Sequence, residues 1–112
     1  MIGIVETAVF TREAEAALNE EELNELKAFI ASNPKAGVIV PGTSGARKLR
    51  WSAGGRGKRG GGRVVYYYHN DEAPVVLFRF FTKAAKADLS STEKTALSKV
   101  VDSIKEELRR RK

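Results

Sequence analysis

Three strand-like runs follow one another through the middle of the chain: Ala46 to Trp51, Arg63 to His69 and Val75 to Phe81. Each is rich in aromatic and β-branched residues. Asn70 to Pro74 is a hairpin-length connection, so the last two runs are expected to pair antiparallel. Helical patterns bracket this group. Asn19 and Glu22 have capping-box spacing, and Leu23, Leu26, Phe29 and Ile30 recur at helical intervals until Asn33-Pro34 stops them. Ser90 and Glu93 repeat the capping box, and Leu97, Val100, Val101, Ile104 and Leu108 form one apolar stripe, read as core. Ile2 to Phe10 reads as a first strand, Thr11 to Leu18 as a short helical turn, and Lys35 to Gly45 as turn-rich with a brief apolar VIV.

At 112 residues, the pattern predicts a single α+β domain over residues 1–112, large enough to bury a core unaided. The absence of cysteine removes a disulfide framework, a thiolate nucleophile and every cysteine-based zinc pattern. No run approaches the ~18 apolar residues of a membrane span. The N-terminus lacks a basic n-region and an A-x-A-like cleavage site. A soluble, cytoplasmic protein without membrane association is expected.

Charge is segregated along the chain. The net charge is +6, yet the 45 residues from Leu26 to Asn70 contain no acid and nine Lys or Arg, while the flanks carry 11 basic against 14 acidic residues. A concentrated basic surface implies a polyanionic partner: nucleic acid first, an acidic protein second, a membrane surface third.

Residues 47 to 68, RKLRWSAGGRGKRGGGRVVYYY, concentrate seven of those cations with six glycines. Gly55, Gly57 and Gly60 formally match G-x-G-x-x-G, but a strand follows where the dinucleotide fingerprint needs a helix. A P-loop fails because Arg59 follows Gly57-Lys58 where Ser or Thr is required. The glycines are instead read as a connection that lets Arg56, Lys58 and Arg59 adapt to a phosphate backbone. Strand alternation puts Lys48 and Arg50 on one face of their strand and Leu49 and Trp51 on the other. In the next strand Arg63, Val65, Tyr67 and His69 share a face. Side by side, Lys48, Arg50 and Arg63 would converge with Tyr67 close by, a cluster that needs an anion to relieve its self-repulsion. Arg79 either lines the same surface or lies at a sheet edge with its stem packed on apolar neighbours. His69, the only histidine, has no visible metal or triad partners and reads as a strand-end residue. Trp51 and the tyrosines either stack on bases or pack within the fold.

The order of elements, together with NPKAG, PGTSGARKLRW, GRGKRGGGRVVYYY and FRFFTKAAKADLS, resembles the RelE/ParE superfamily of toxins from toxin-antitoxin modules, nearest the HigB-type branch. The resemblance spans nearly the whole chain. It implies a RelE-like α+β fold, with N-terminal helices and a C-terminal helix packed on a small, curved, mainly antiparallel sheet. RelE and HigB members enter the ribosomal A site and cleave mRNA, whereas ParE members poison DNA gyrase. By resemblance, Lys48 and Arg50 match the paired basic positions of the RelE-type site, Arg63 the arginine opening the next strand, and Lys83 a basic position after the last strand. Ala84 stands where RelE has an arginine, and Ser90 near its catalytic tyrosine.

The expected function is that of a ribosome-dependent mRNA endoribonuclease that needs neither metal nor other cofactor. A ribose 2′-OH attacks the adjacent phosphate. Arg63 stabilises the charge at phosphorus, Lys48 or Lys83 serves as base, and Tyr67 is a candidate proton donor. Arg47, Arg56, Lys58, Arg59 and Arg79 complete the expected RNA contacts. The alternatives are a ParE-like gyrase inhibitor and a ribosome- or RNA-binding module without chemistry. The resemblance also implies a cognate antitoxin with a helix-turn-helix domain, through which alone the toxin would meet operator DNA.

Overall fold

The computed structural model describes residues 2–51 and 61–111. Among them the elements run β1 (Ile4–Glu6), α1 (Ala8–Ala17), α2 (Glu20–Ser32), β2 (Val38–Ile39), β3 (Arg47–Trp51), β4 (Gly62–Tyr67), β5 (Val75–Thr82) and α3 (Ser91–Arg110). The strands form one sheet in the order β1-β5-β4-β3-β2, with β1 parallel to β5 and the other pairs antiparallel. The chain is therefore α+β with a mainly antiparallel sheet, as its pattern predicts.

The N-terminal boundary differs from expectation. The first strand ends at Glu6 and Ala8–Phe10 already belong to α1, because the Thr7 hydroxyl accepts the Phe10 amide at 3.0 Å and caps a helix there. Phe10 and Ala14, one helical turn apart, are buried by that choice. Both predicted capping boxes form, with Asn19 and Ser90 as N-caps and Glu22 and Glu93 returning the bond. The apolar VIV contributes a two-residue edge strand, β2, whose Val38 and Ile39 are exposed.

Helices cover both faces of the sheet. Phe10, Ala14, Leu23, Leu26 and Ile30 of α1 and α2 pack against Val64, Tyr66, Val75, Leu77 and Phe80. On the other face Leu97 and Val101 of α3, with Leu89, pack against Val65, Tyr67, Phe78 and Phe81. β4 thus buries side chains on both faces, which explains its unbroken VVYY run. Val100 of the predicted stripe is 46% exposed, since Leu97 and Val101 already meet the sheet.

A register shift between β4 and β5 sets the phase of the site. Val65 pairs with Arg79 and Tyr66 with Leu77, so Phe78 is an extra residue in β5. Beyond it, Arg79 falls in register with Val65, and Phe80 turns to the α1/α2 face. The buried Tyr66 hydroxyl donates to Pro34 O at 2.8 Å and accepts the Gly37 amide at 2.9 Å, tying the α2–β2 connection to the central strand. Gly37 is required there: a Cβ would lie 3.0 Å from both that hydroxyl and Lys48 O. No described helix is long and apolar enough to cross a membrane.

Candidate functional site

β3 and β4 bring Arg50 directly opposite Arg63. Like charges in this position destabilise a sheet unless an anion lies between them. Among the described residues neither guanidinium has a carboxylate partner, and residues 52–60, which join the two strands, contain no acid. Among the described residues Arg63 reaches only the backbone just before it, donating to Gly61 O and Gly62 O at 3.3 Å. Arg50 and Lys83 are exposed. Lys83 follows β5 at the same end of the sheet, with its amide 3.4 Å from Gly61 O. Arg50, Arg63 and Lys83 therefore present three cations at the open end of the sheet, next to the segment bearing Arg56, Lys58 and Arg59, which lie outside the described residues.

Lys48 lies on the Arg50 face, opposite Val65, but its ammonium is engaged. It donates to Asp88 Oδ1 at 2.8 Å. The same oxygen accepts the Leu89 amide at 2.8 Å, and these two donors hold the Asp88 carboxyl below its usual range, Lys48 contributing most. Leu89 packs into the cluster that contains Val65, which draws the segment after β5 across the sheet and delivers Asp88 to β3. Sequence reasoning missed Asp88. Its signal was a lone acid two residues before the Ser90 cap, in a segment that must fold back over the sheet for α3 to pack.

Two expected site residues, Arg47 and Tyr67, lie elsewhere, and Trp51 takes the packing alternative. Arg47 pairs with Tyr66 and so lies on the face away from Lys48 and Arg50; its Nη1 donates to Gly37 O at 2.8 Å and Lys35 O at 3.3 Å. Alternation alone assigns it to the side of Leu49 and Trp51. Tyr67 is not beside Arg63: four residues along β4 place them about 13 Å apart. Its hydroxyl lies 2.9 Å from His69 Nδ1, and burial pushes it above the usual tyrosine value; the separation along β4 keeps it from a phosphate held by Arg63. Trp51 packs on Phe29 of α2 with ring centroids 5.5 Å apart, on the helix-covered face.

Arg79 takes the edge position. β1 covers β5 only as far as Leu77, and beyond that point Glu13 of α1 accepts the Phe80 amide at 2.9 Å where a strand would otherwise pair. Glu13 also receives Arg79 Nε at 3.0 and 3.2 Å and Nη2 at 2.7 Å, while Arg79 Nη1 donates to Glu93 at 3.3 Å. Glu93 pairs in addition with Lys86 at 2.9 Å. The guanidinium thus ties α1 to α3 through β5 and offers little to an outside phosphate.

These contacts make the fold acid-sensitive. The Ser90 amide, then Lys86 and Arg79, lower the Glu93 carboxyl from 4.5 to about 2. Burial raises Glu13, but Arg79 and the Phe80 amide outweigh it, leaving it below its usual value. Both groups bind protons less readily folded than unfolded, so their contributions are lost on acidification; that of Glu93 is full above pH 4.5 and fades as pH falls toward 2. Chemical denaturation followed at stepped pH should show Glu93→Gln less stable than wild type at pH 6, with the two converging near pH 2. A constant difference across that window would contradict this assignment. No cluster of three or more His, Asp or Glu that could hold a metal ion occurs among the described residues.

No family model matches the chain. Among solved structures, it is similar to the solution structure of HP0894, a conserved hypothetical protein from Helicobacter pylori, at 16% identity over 75% of this chain and 97% of that one, with a TM-score of 0.35.

Proposed function

We propose that this protein is a ribosome-dependent mRNA endoribonuclease, the toxin of a toxin-antitoxin pair, of the RelE/ParE kind and nearest the HigB type. The observation that carries the reading is the Arg50–Arg63 cross-strand pair with Lys83, cations without acid partners among the described residues, beside an acid-free glycine-rich segment. A phosphodiester supplies the missing negative charge. During cleavage the 2′-hydroxyl gives up its proton to a base as its oxygen bonds to phosphorus, the bond from phosphorus to the 5′-oxygen breaks, and a proton passes to that leaving oxygen. The products are a 2′,3′-cyclic phosphate and a 5′-hydroxyl end.

In this scheme Arg63 and Arg50 stabilise the pentacoordinate phosphorane as rigid forks. Lys83, exposed and adjacent, is the proton-transfer candidate. Lys48, occupied by Asp88, serves as a charge and not as the base, and Tyr67 has no part in the chemistry. Arg56, Lys58 and Arg59 grip flanking phosphates of mRNA or ribosomal RNA. The cationic face also suits an antitoxin bearing acidic residues, and the setting for both is the cytoplasm.

Brief induction in a bacterial host, followed by mapping of 5′-hydroxyl ends, tests the reading. Growth arrest with new ends inside translated frames, absent when initiation is blocked, is expected. Intact mRNA with early DNA-damage signalling would instead identify a gyrase inhibitor, and ribosome or RNA binding without new ends a module that lacks chemistry.

A further inference from the structure

Asp88 distinguishes Lys48 from the other cations of the face. Its carboxylate is anchored by the Leu89 amide at 2.8 Å, and Leu89, 6% exposed, is fixed against the sheet, so Asp88 is held at Lys48 by backbone geometry. The Asp88 side chain is nonetheless 48% exposed and that of Lys48 25%, so the contact lies at a surface that a ligand can reach. A carboxylate oxygen accepting from an ammonium at 2.8 Å occupies the place a phosphate oxygen would take. Arg50 and Arg63, opposite each other two residues along, have no such occupant among the described residues.

We infer that Asp88 is a built-in competitor for the RNA backbone at Lys48. This rests on reading the face as RNA-binding. Asp88 takes one of the three ammonium N–H donors and neutralises the charge of Lys48, so a phosphate gains that full charge only by displacing the carboxylate, which then returns to water. The protein therefore binds stray single-stranded RNA less tightly than its basic residues alone allow. The full set of cations engages only a strand held firmly enough to displace the carboxylate.

The test is binding of the full chain to an uncleavable single-stranded 2′-O-methyl oligonucleotide over a range of salt, with Asp88→Asn, Lys48→Gln and the double variant. Asparagine keeps an acceptor for the Leu89 amide while losing the charge. Asp88→Asn should bind about threefold to tenfold tighter near physiological salt and steepen the log K against log salt slope by about 0.7, the value of one added single-strand phosphate contact. Both gains should vanish in the Lys48→Gln background, the mark of a direct coupling. An equal gain in that background, or none, would overturn the proposal. If wild-type binding persists in that case and weakens in Arg63→Ala, the RNA reading survives alone. If no folded variant binds the oligonucleotide, both fall together.

Discussion

Arg63→Ala is expected to lower mRNA cleavage by about 10²–10³-fold, the usual cost of removing one donor aimed at developing charge, and to abolish growth arrest. The fold should hardly notice. Among the described residues the Arg63 guanidinium hydrogen-bonds only Gly61 O and Gly62 O, at the long distance of 3.3 Å, so removing it should change stability by no more than about 0.5 kcal/mol. That separation makes the experiment decisive: ends mapped after induction report the chemistry, and a melting curve of the purified variant reports the fold. Arg50→Ala should fall in the same direction, because Arg50 lies directly opposite Arg63 and, on the proposed function, stabilises the same phosphate. A fully toxic, cleaving Arg63→Ala would falsify its role in the reaction.

Arg79→Ala should do the opposite, destabilising the protein by about 2–3 kcal/mol, or roughly 10 °C in Tm, with no change in the salt dependence of RNA binding. Two bonds from Nε and one from Nη2 converge on Glu13, whose side chain is only 25% exposed. Without the guanidinium that carboxylate keeps the Phe80 amide but loses its counter-charge, and an incompletely solvated anion is left at the β5 edge. Glu93 retains Lys86 and loses less. If Arg79→Ala melts like wild type while RNA affinity falls and the salt slope flattens, Arg79 is a phosphate contact after all.

Local signals were legible where one residue decides one conformation. The capping boxes at Asn19 and Ser90 formed as read, because each satisfies helix amides within four residues of chain. The β3 and β4 alternation also held, putting Lys48 and Arg50 on one face, and the register set Arg63 opposite Arg50 on that face. The same rule should have moved Arg47 to the opposite face, and four residues of strand should have separated Tyr67 from Arg63. Val100 was miscounted because a helical stripe shows which side is apolar, not how wide a strip the sheet covers.

The sequence alone determined the element types, the segregation of charge into one acid-free segment, and the shared face of Lys48 and Arg50, since these depend on spacing within a few residues, whereas the β3–β4 register placed Arg63 opposite Arg50. Tertiary structure alone decided which cations remain open. Asp88 lies 40 positions from Lys48 and Glu13 lies 66 from Arg79, and they meet because Leu89 packs on the sheet and β1 ends before β5 does. Charge is a property of the chain, but neutralisation needs two groups within a few ångströms, which only packing arranges. The extra residue at Phe78, invisible to strict alternation, brought Arg79 into register with Val65, where Glu13 and Glu93 neutralise it, while among the described residues no carboxylate reaches Arg63 or Arg50.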